Sequence, residues 1–341
     1  MSRSAWGMQL AEPGLVQNRP LRRTPLEFSA PANDEVCLEV EVCGICRTDL
    51  HVVEGELPVR RSPLIPGHQV VGRVVEAGSV VSHLRVGQRV GAAWLRWTCG
   101  ACRFCQKGRE NLCERARFNG WTDDGGFATQ MIAPAQFLYE LPESFSAEWA
   151  APLLCAGIIG YRALRLTGLD GRWAGARLGI YGFGAAGHLS IQLARARGAD
   201  VFVCTRDQAR HQALAEELGA SWAGGAMDRP PQPLDAAIIF APAGELVPVA
   251  LSALEKGGCL VCGGIHMSDI PSFPYQSLYG ERVIRSVANN TREDGKAFFE
   301  EAARIGLRTR TVRFPLEAAN EALRALKEDA IKGAAVLQCS E

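Results

Sequence analysis

Residues 36–42 (VCLEVEV) alternate apolar and acidic positions, the period of a strand with one buried face. Residues 70–76 and 89–93 repeat the strand signal, and Gly67, Gly78, Gly87 and Gly91 punctuate it. Many short strands with glycine turns predict a partly closed β-fold for the first part of the chain. Beyond about residue 155 the period changes. Residues 178–181 form a short apolar run, and 187–197 place Leu189, Ile191, Leu193 and Ala194 in a helical segment. A second strand is expected at 200–205, a second helix at 208–218, and later strands at 234–240 and 258–263. Strand–helix alternation argues for a parallel, doubly wound sheet. Residues 316–329 read as an amphipathic helix. The strand expected after it, at 333–337, is placed to return to the first domain.

The turn between the first strand and helix of the second part reads Gly182-Phe-Gly184-Ala-Ala-Gly187. In that context G-x-G-x-x-G is a dinucleotide signal. The first glycine makes the turn, the second lets backbone approach a pyrophosphate, and the third lets helix pack on strand. The helix N-terminus favours the negative charge. An acidic residue ending the next strand would bond the ribose hydroxyls of NAD. That strand instead ends in Thr205 and Arg206, a hydroxyl and a cation suited to a 2′-phosphate, so the reading leans to NADP(H) over NAD(H). The alternative is that Arg206 is a solvated helix-start residue and Asp207 takes the acidic role.

Composition narrows the chemistry. The chain has 341 residues, room for two domains, with 47% apolar and 22% charged residues. Formal net charge is zero, so no broad field attracts nucleic acid or an anionic membrane. No apolar run is long enough to span a bilayer, and the N-terminus lacks a signal-peptide pattern, which together predict a cytoplasmic protein. The 12 cysteines then point to metal ligands or buried thiols rather than a disulfide framework. Four of them, Cys99, Cys102, Cys105 and Cys113, form C-x2-C-x2-C-x7-C, a spacing suited to a tetrahedral zinc. An iron–sulfur run of the bacterial ferredoxin type would close with x3 and Cys-Pro, whereas here the gap is x7 and Glu114 follows. A four-thiolate zinc has no open position for substrate, so catalysis belongs elsewhere. Cys46, His68 and Cys155, from three separated segments, would make a three-ligand site with one position open. Spacing alone does not establish this, since a lone His68 is more often a core histidine and Cys155 a small buried hydrophobe.

Further motifs add a family resemblance. GICRTDLHVVEGELP at 44–58, PGHQVVG at 66–72, the four-cysteine lobe, DGGFA at 124–128, PLLCAG at 152–157 and YGFGAAG at 181–187 occur in this order. The chain resembles the zinc-dependent alcohol dehydrogenases of the medium-chain dehydrogenase/reductase superfamily almost end to end. The resemblance implies an α/β chain: a GroES-like, partly closed β-barrel catalytic domain (1–155 and 289–341, with a structural zinc lobe at 95–117) and a Rossmann cofactor domain (156–288). It implies two zinc ions per chain. Cys46, His68 and Cys155 match the catalytic ligands, and the four-cysteine run matches the structural ones. Asp49 matches the carboxylate behind the ligand histidine, Thr48 and His51 match a proton relay, and Arg47 matches a contact to the cofactor pyrophosphate. Gln69 departs from the family's usual glutamate. Cys43 is expected to be a packed free thiol lying in a turn, and Cys259 and Cys262 to face opposite sides of a strand.

The activity implied is reversible hydride transfer between a primary alcohol or aldehyde and NAD(P). The alternative is a zinc-dependent polyol or other secondary-alcohol dehydrogenase on the same fold. Trp94 and Trp121 are candidate walls of the substrate pocket, with simple core packing as the competing role. A homodimer or homotetramer is expected. A zinc-ribbon nucleic-acid binder, suggested by Arg103, Lys107, Arg109, Arg115 and Arg117 around the lobe, is disfavoured by the balanced charge.

Overall fold

The computed structural model describes residues 5–27 and 29–340. They divide into two compact units. The first takes in residues up to Cys155, Thr291–Lys296 and the chain from Thr309 onward; the second takes in Ala156–Asn290 and Ala297–Arg308.

The first unit is built on the long strand Glu35–Ile45. Its alternation puts Val36, Leu38, Val40 and Val42 at or below 1% exposure and leaves Glu39 in solvent. The strand pairs antiparallel with Gln69–Ala77, Gln130–Pro134 and Ala334–Gln338. The return of the tail places Leu337 opposite Cys43. The main path of the sheet runs Thr311–Pro315, Ala334–Gln338, Glu35–Ile45, Gln69–Ala77, Arg89–Ala92 and Leu138–Glu140, with Gln130–Pro134 pairing Glu35–Ile45 off that path. Two register shifts in the central pairing bend it towards a barrel. Inside lie Val36, Val40, Val70, Val74, Val90 and Met131. Each contributes about 1.5–3 kcal/mol by leaving water. Cys43 sits on the central strand rather than in a turn, fully buried.

The second unit has six parallel strands in the order Trp222–Gly224, Asp200–Cys204, Arg177–Tyr181, Leu234–Ile239, Leu254–Cys262 and Val283–Ser286. The order reverses between Arg177–Tyr181 and Leu234–Ile239, which opens the crevice where such sheets bind nucleotides. Cys259 and Cys262 do face opposite ways. Cys259 Sγ reaches Leu166 O at 3.5 Å, while Cys262 joins the cluster under the helix Leu246–Ala253.

Several elements differ from the sequence expectation. The segment 208–218 starts as a wide turn, Gln208–Gln212, before a short α-helix, Ala213–Glu217. Gln212 N reaches back to Asp207 O at 3.1 Å, and Gln212 Nε2 bonds Thr205 O at the same length. The domain return expected from 289 is interrupted, because residues 297–308 cluster with the second unit. There the buried Phe298 of the helix Arg292–Ile305 packs 5.9 Å from the Tyr161 ring. Among the described residues no helix is long and apolar enough to cross a membrane.

Candidate active site and metal centres

Cys46 is the N-cap of the helix Arg47–Glu54. Its Sγ accepts from Thr48 N at 3.3 Å, and Asp49 Oδ2 accepts from Cys46 N at 2.9 Å. This is a reciprocal capping box with a thiol in the place usually taken by serine or threonine. The cap fixes where Cys46 points. Asp49 Oδ1 meets His68 Nδ1 at 2.9 Å, so the opposite nitrogen, Nε2, faces Cys46 Sγ at 3.4 Å. Cys155, at the end of the turn Ala151–Leu154, brings its Sγ to 3.8 Å from Cys46 Sγ. The three ligand atoms lie within 4.8 Å of one another. Asp49 and His68 are each 1% exposed.

The electrostatics of this pocket favour a cation. The Cys155 thiol, offsetting the penalty of burial, pulls the Cys46 thiol well below its usual range, with help from His68 and Thr48. Burial alone would lower His68, but the Asp49 carboxylate and Cys46 outweigh it and raise the imidazole to about 10. A carboxylate and a thiolate held dry around a convergence of N and S donors match a borderline-soft metal such as zinc. The bond from Nδ1 to Asp49 is the outer support that ligand histidines use to fix their tautomer.

His68 itself is held by its loop. Gly67 has φ +103, and a Cβ there would lie 2.5 Å from the Phe127 ring. Gly126 N bonds Gly67 O at 3.0 Å and Phe127 N bonds Pro66 O at 2.9 Å. The DGGFA motif thus buttresses the histidine loop, a function its sequence gave no sign of. Gln69, next to His68, lies across Gly44, and its Nε2 is buried without a partner. Cys43 stays outside the ligand group, and burial pushes its thiol well up.

The second cluster gathers Cys99, Cys102, Cys105 and Cys113. Sγ–Sγ distances are 3.5 Å (Cys102–Cys105), 3.6 Å (Cys99–Cys113) and 3.9 Å (Cys99–Cys105). Arg115 and the N–H groups of Ala101 and Cys102 bring the Cys99 thiol down to about 5. Four thiols converging with no other donor suit a closed zinc site. Arg292 anchors the lobe: its guanidinium bonds both oxygens of the buried Glu110 at 2.7–3.1 Å, and its backbone N bonds Oε1 at 2.8 Å.

Beside His68 stand the candidate pocket aromatics. The Trp94 ring meets His68 edge-on at 5.0 Å and stacks on Trp121 at 5.7 Å and Phe118 at 5.3 Å. Trp121 Nε1 is tied to Pro58 O at 2.9 Å, and Arg60 covers the ring at 5.5 Å. Packing and wall are therefore one structure: Trp94 is in the core cluster and also borders the ligand histidine. Thr48 is half-buried and Arg47 exposed at the start of the helix, while His51 sits in its last turn.

In the second unit Gly182 has φ +88, and its N bonds Cys204 O at 2.8 Å. A Cβ at Gly187 would lie 2.8 Å from Gly182 O, whereas one at Gly184 would meet nothing. The cradle is tight where helix meets turn and open at the helix start Gly184, where a pyrophosphate would approach. Thr205 is buried and Arg206 exposed. Asp207 is engaged in capping: its Oδ1 accepts from Arg210 N at 2.9 Å.

A doubly wound nucleotide fold and a barrel unit with two thiol-rich donor clusters, joined in one chain, define a zinc-binding, dinucleotide-dependent oxidoreductase. The Alcohol dehydrogenase GroES-like domain model matches residues 32–143, and the Zinc-binding dehydrogenase model matches 185–304. The chain is 51% identical over 340 residues to a Mycobacterium tuberculosis (strain CDC 1551 / Oshkosh) protein named "Probable alcohol dehydrogenase AdhA", covering 98% of this chain and 96% of the relative. It is 34% identical over 331 residues to an alcohol dehydrogenase of Geobacillus stearothermophilus, covering 94% and 96%. A zinc-binding dehydrogenase of Sinorhizobium meliloti 1021, solved bound to NADP, superposes with a TM-score of 0.87 at 26% identity, covering 99% of this chain and all of that one. The chain belongs to the zinc-dependent alcohol dehydrogenases of the medium-chain dehydrogenase/reductase superfamily.

Proposed function

We propose that Cys46, His68 and Cys155 hold the catalytic zinc of an NAD(P)-dependent dehydrogenase for primary alcohols and aldehydes, and that the four-cysteine lobe holds a second, structural zinc. The observation that carries this reading is the convergence of the three ligand atoms within 4.8 Å, with Asp49 behind His68. Zinc held by these three residues would supply Lewis acidity, and a bound nicotinamide would supply the hydride chemistry. The chain's own residues do the rest. The Cys46 cap and the Asp49 bond keep two donors in place without reorganisation. The dry walls around His68 and Trp94 strengthen every charge interaction inside. The Thr48 hydroxyl takes the alcohol proton and passes it outward, with His51 as the outer group of the relay. Arg47 is assigned to the cofactor pyrophosphate, and Gly182, Gly184 and Gly187 to its cradle.

NADP(H) is the preferred cofactor in this reading. Arg206 is exposed and available to a 2′-phosphate, whereas the Asp207 carboxylate is occupied at its own helix start. The NADP-bound relative from Sinorhizobium meliloti supports the same choice. Trp94 and Trp121, fixed on several sides, form a rigid wall that favours unbranched primary alcohols over polyols. The protein is assigned to the cytoplasm as a homo-oligomer. Its association surface is assigned to the poorly covered edge strand Val283–Ser286.

The test is a panel of primary, secondary and polyol substrates, each with NADP and NAD, on protein of measured zinc content. Primary alcohols with NADP should give the highest kcat/KM. A polyol at the head of the panel would favour the alternative, and no turnover of any alcohol would refute the reading.

A further inference from the structure

The helix that starts at the ligand Cys46 ends just beyond His51, and the way it ends places a carboxylate on that histidine. Gly55 takes the left-handed conformation, φ 78. Gly55 N then bonds Val52 O at 3.3 Å, and Glu56 N bonds His51 O at 2.9 Å. This is the paired bonding of a Schellman motif, with His51 at its third-last helical position and Glu56 two residues past the cap. Such a motif brings those two side chains together, usually as a hydrophobic contact. Here the contact is polar: Glu56 Oε2 meets His51 Nδ1. Leu57 N adds a further bond to His51 O at 3.3 Å, so the turn is fixed on both sides of Glu56.

We infer that Glu56 is a positioning residue for the proton relay, acting through His51. This rests on the relay role of His51 proposed above. A carboxylate against Nδ1 places the neutral ring's hydrogen on Nδ1, which makes Nε2 the nitrogen that accepts a proton. The ring is thereby held in one tautomer and one orientation before the reaction. During alcohol oxidation the proton arriving from Thr48 binds Nε2. The resulting imidazolium keeps its Nδ1–H on Glu56 and releases the Nε2 proton to solvent. The same support by a carboxylate works for histidine bases generally.

The neighbouring carboxylate is already committed. Glu54, on the same helix, is held by Lys327 Nζ at 2.7 and 2.8 Å and accepts from Val16 N at 2.9 Å. Lys327 comes from the helix Ala319–Lys327 and Val16 from the turn Val16–Asn18, both packed on this helix. Arg47 is the cation on the same helix, exposed one turn before His51. Glu56 is half-exposed, so its replacement leaves core packing intact.

The experiment compares Glu56→Ala, Glu56→Gln, His51→Gln and the double variant His51→Gln/Glu56→Ala. It reads kcat for alcohol oxidation against pH, together with the 15N signals of selectively labelled histidine. Glu56→Ala should lower kcat by about tenfold near neutral pH, less than the ~100- to 10,000-fold of a general acid–base group because His51 itself remains, with little change in alcohol KM. Glu56→Gln, whose carbonyl oxygen still accepts from Nδ1, should recover most of that loss. The double variant should be no slower than His51→Gln. The His51 signals should show hydrogen on Nδ1 in the wild type and a mixture of tautomers in Glu56→Ala. If His51→Gln is slow while Glu56→Ala matches wild type, the inference about Glu56 is overturned and the relay stands. If His51→Gln is itself unimpaired, the relay reading falls and the inference with it.

Discussion

Asp49 and His68 are joined by a 2.9 Å bond from Nδ1 to Oδ1, and the second oxygen of the same carboxylate caps the helix that presents Cys46. One buried side chain therefore sets the orientation of two of the proposed ligands. Asp49→Asn removes the charge while keeping a group of the same size. Its amide can serve Cys46 N through oxygen, but its nitrogen then faces Nδ1 donor to donor. The variant should bind zinc at the three-ligand site about 10- to 100-fold more weakly. Competition with a chelator measures this, and undiminished retention would remove Asp49 from the support of the site.

The fold was legible where periodicity was clean. The alternation of 36–42 located the central strand, and G-x-G-x-x-G between strand and helix located the nucleotide crevice. The helix Arg47–Glu54 escaped because its cap is a cysteine, and cap rules look for serine, threonine, aspartate or asparagine. The helix Ala156–Leu166 contains two glycines that blunt its pattern. Of the site, the ligand types and the Asp49 support came with the family resemblance. The buttress of residues 125–127 on the His68 loop and the Arg292 clamp on Glu110 are contacts between distant segments, which no local pattern records. The Glu56–His51 pair was local, five residues apart, and could have been read from a helix ending at Gly55.

Glu110 makes the lobe pH-sensitive. Burial alone would raise its carboxyl, but the hydrogen bonds and charge of Arg292 overcome this and hold it below the usual value. A depressed folded value stabilises the protein above the ordinary carboxylate range, and that contribution disappears as pH falls through the folded value. Glu110→Gln should cost about 1–2 kcal/mol at pH 7, the lower part of the range for charged hydrogen bonds because Arg292 is partly exposed. Melting curves should show the gap between wild type and variant closing towards pH 3. A gap constant across that range would mean the Arg292 pair contributes nothing through its charge.

The proposed NADP preference rests on Arg206. Replacing it by aspartate puts a like charge against a 2′-phosphate and an acceptor near the ribose hydroxyls. KM for NADP should rise at least about tenfold, and KM for NAD should fall or hold. Initial rates with both cofactors measure the ratio. An unchanged ratio would leave Arg206 as a solvated surface residue.

Cys102 separates structure from chemistry. Cys102→Ser should lose the lobe's zinc and lower the melting temperature or the assembly state, because a four-thiolate site contributes folding energy. The surviving folded fraction should still oxidise alcohol. Turnover abolished in protein of intact fold, assembly and remaining zinc would mean that the lobe takes part in the reaction.

The most direct measurement is zinc content per chain set beside turnover for Cys46→Ser. The account predicts a fall from two zinc ions to one, loss of alcohol-dependent NADP reduction, and NADP binding unchanged by calorimetry. Two zinc ions retained, or turnover near the wild-type rate in folded protein, would contradict the assignment of Cys46, His68 and Cys155 as the catalytic centre.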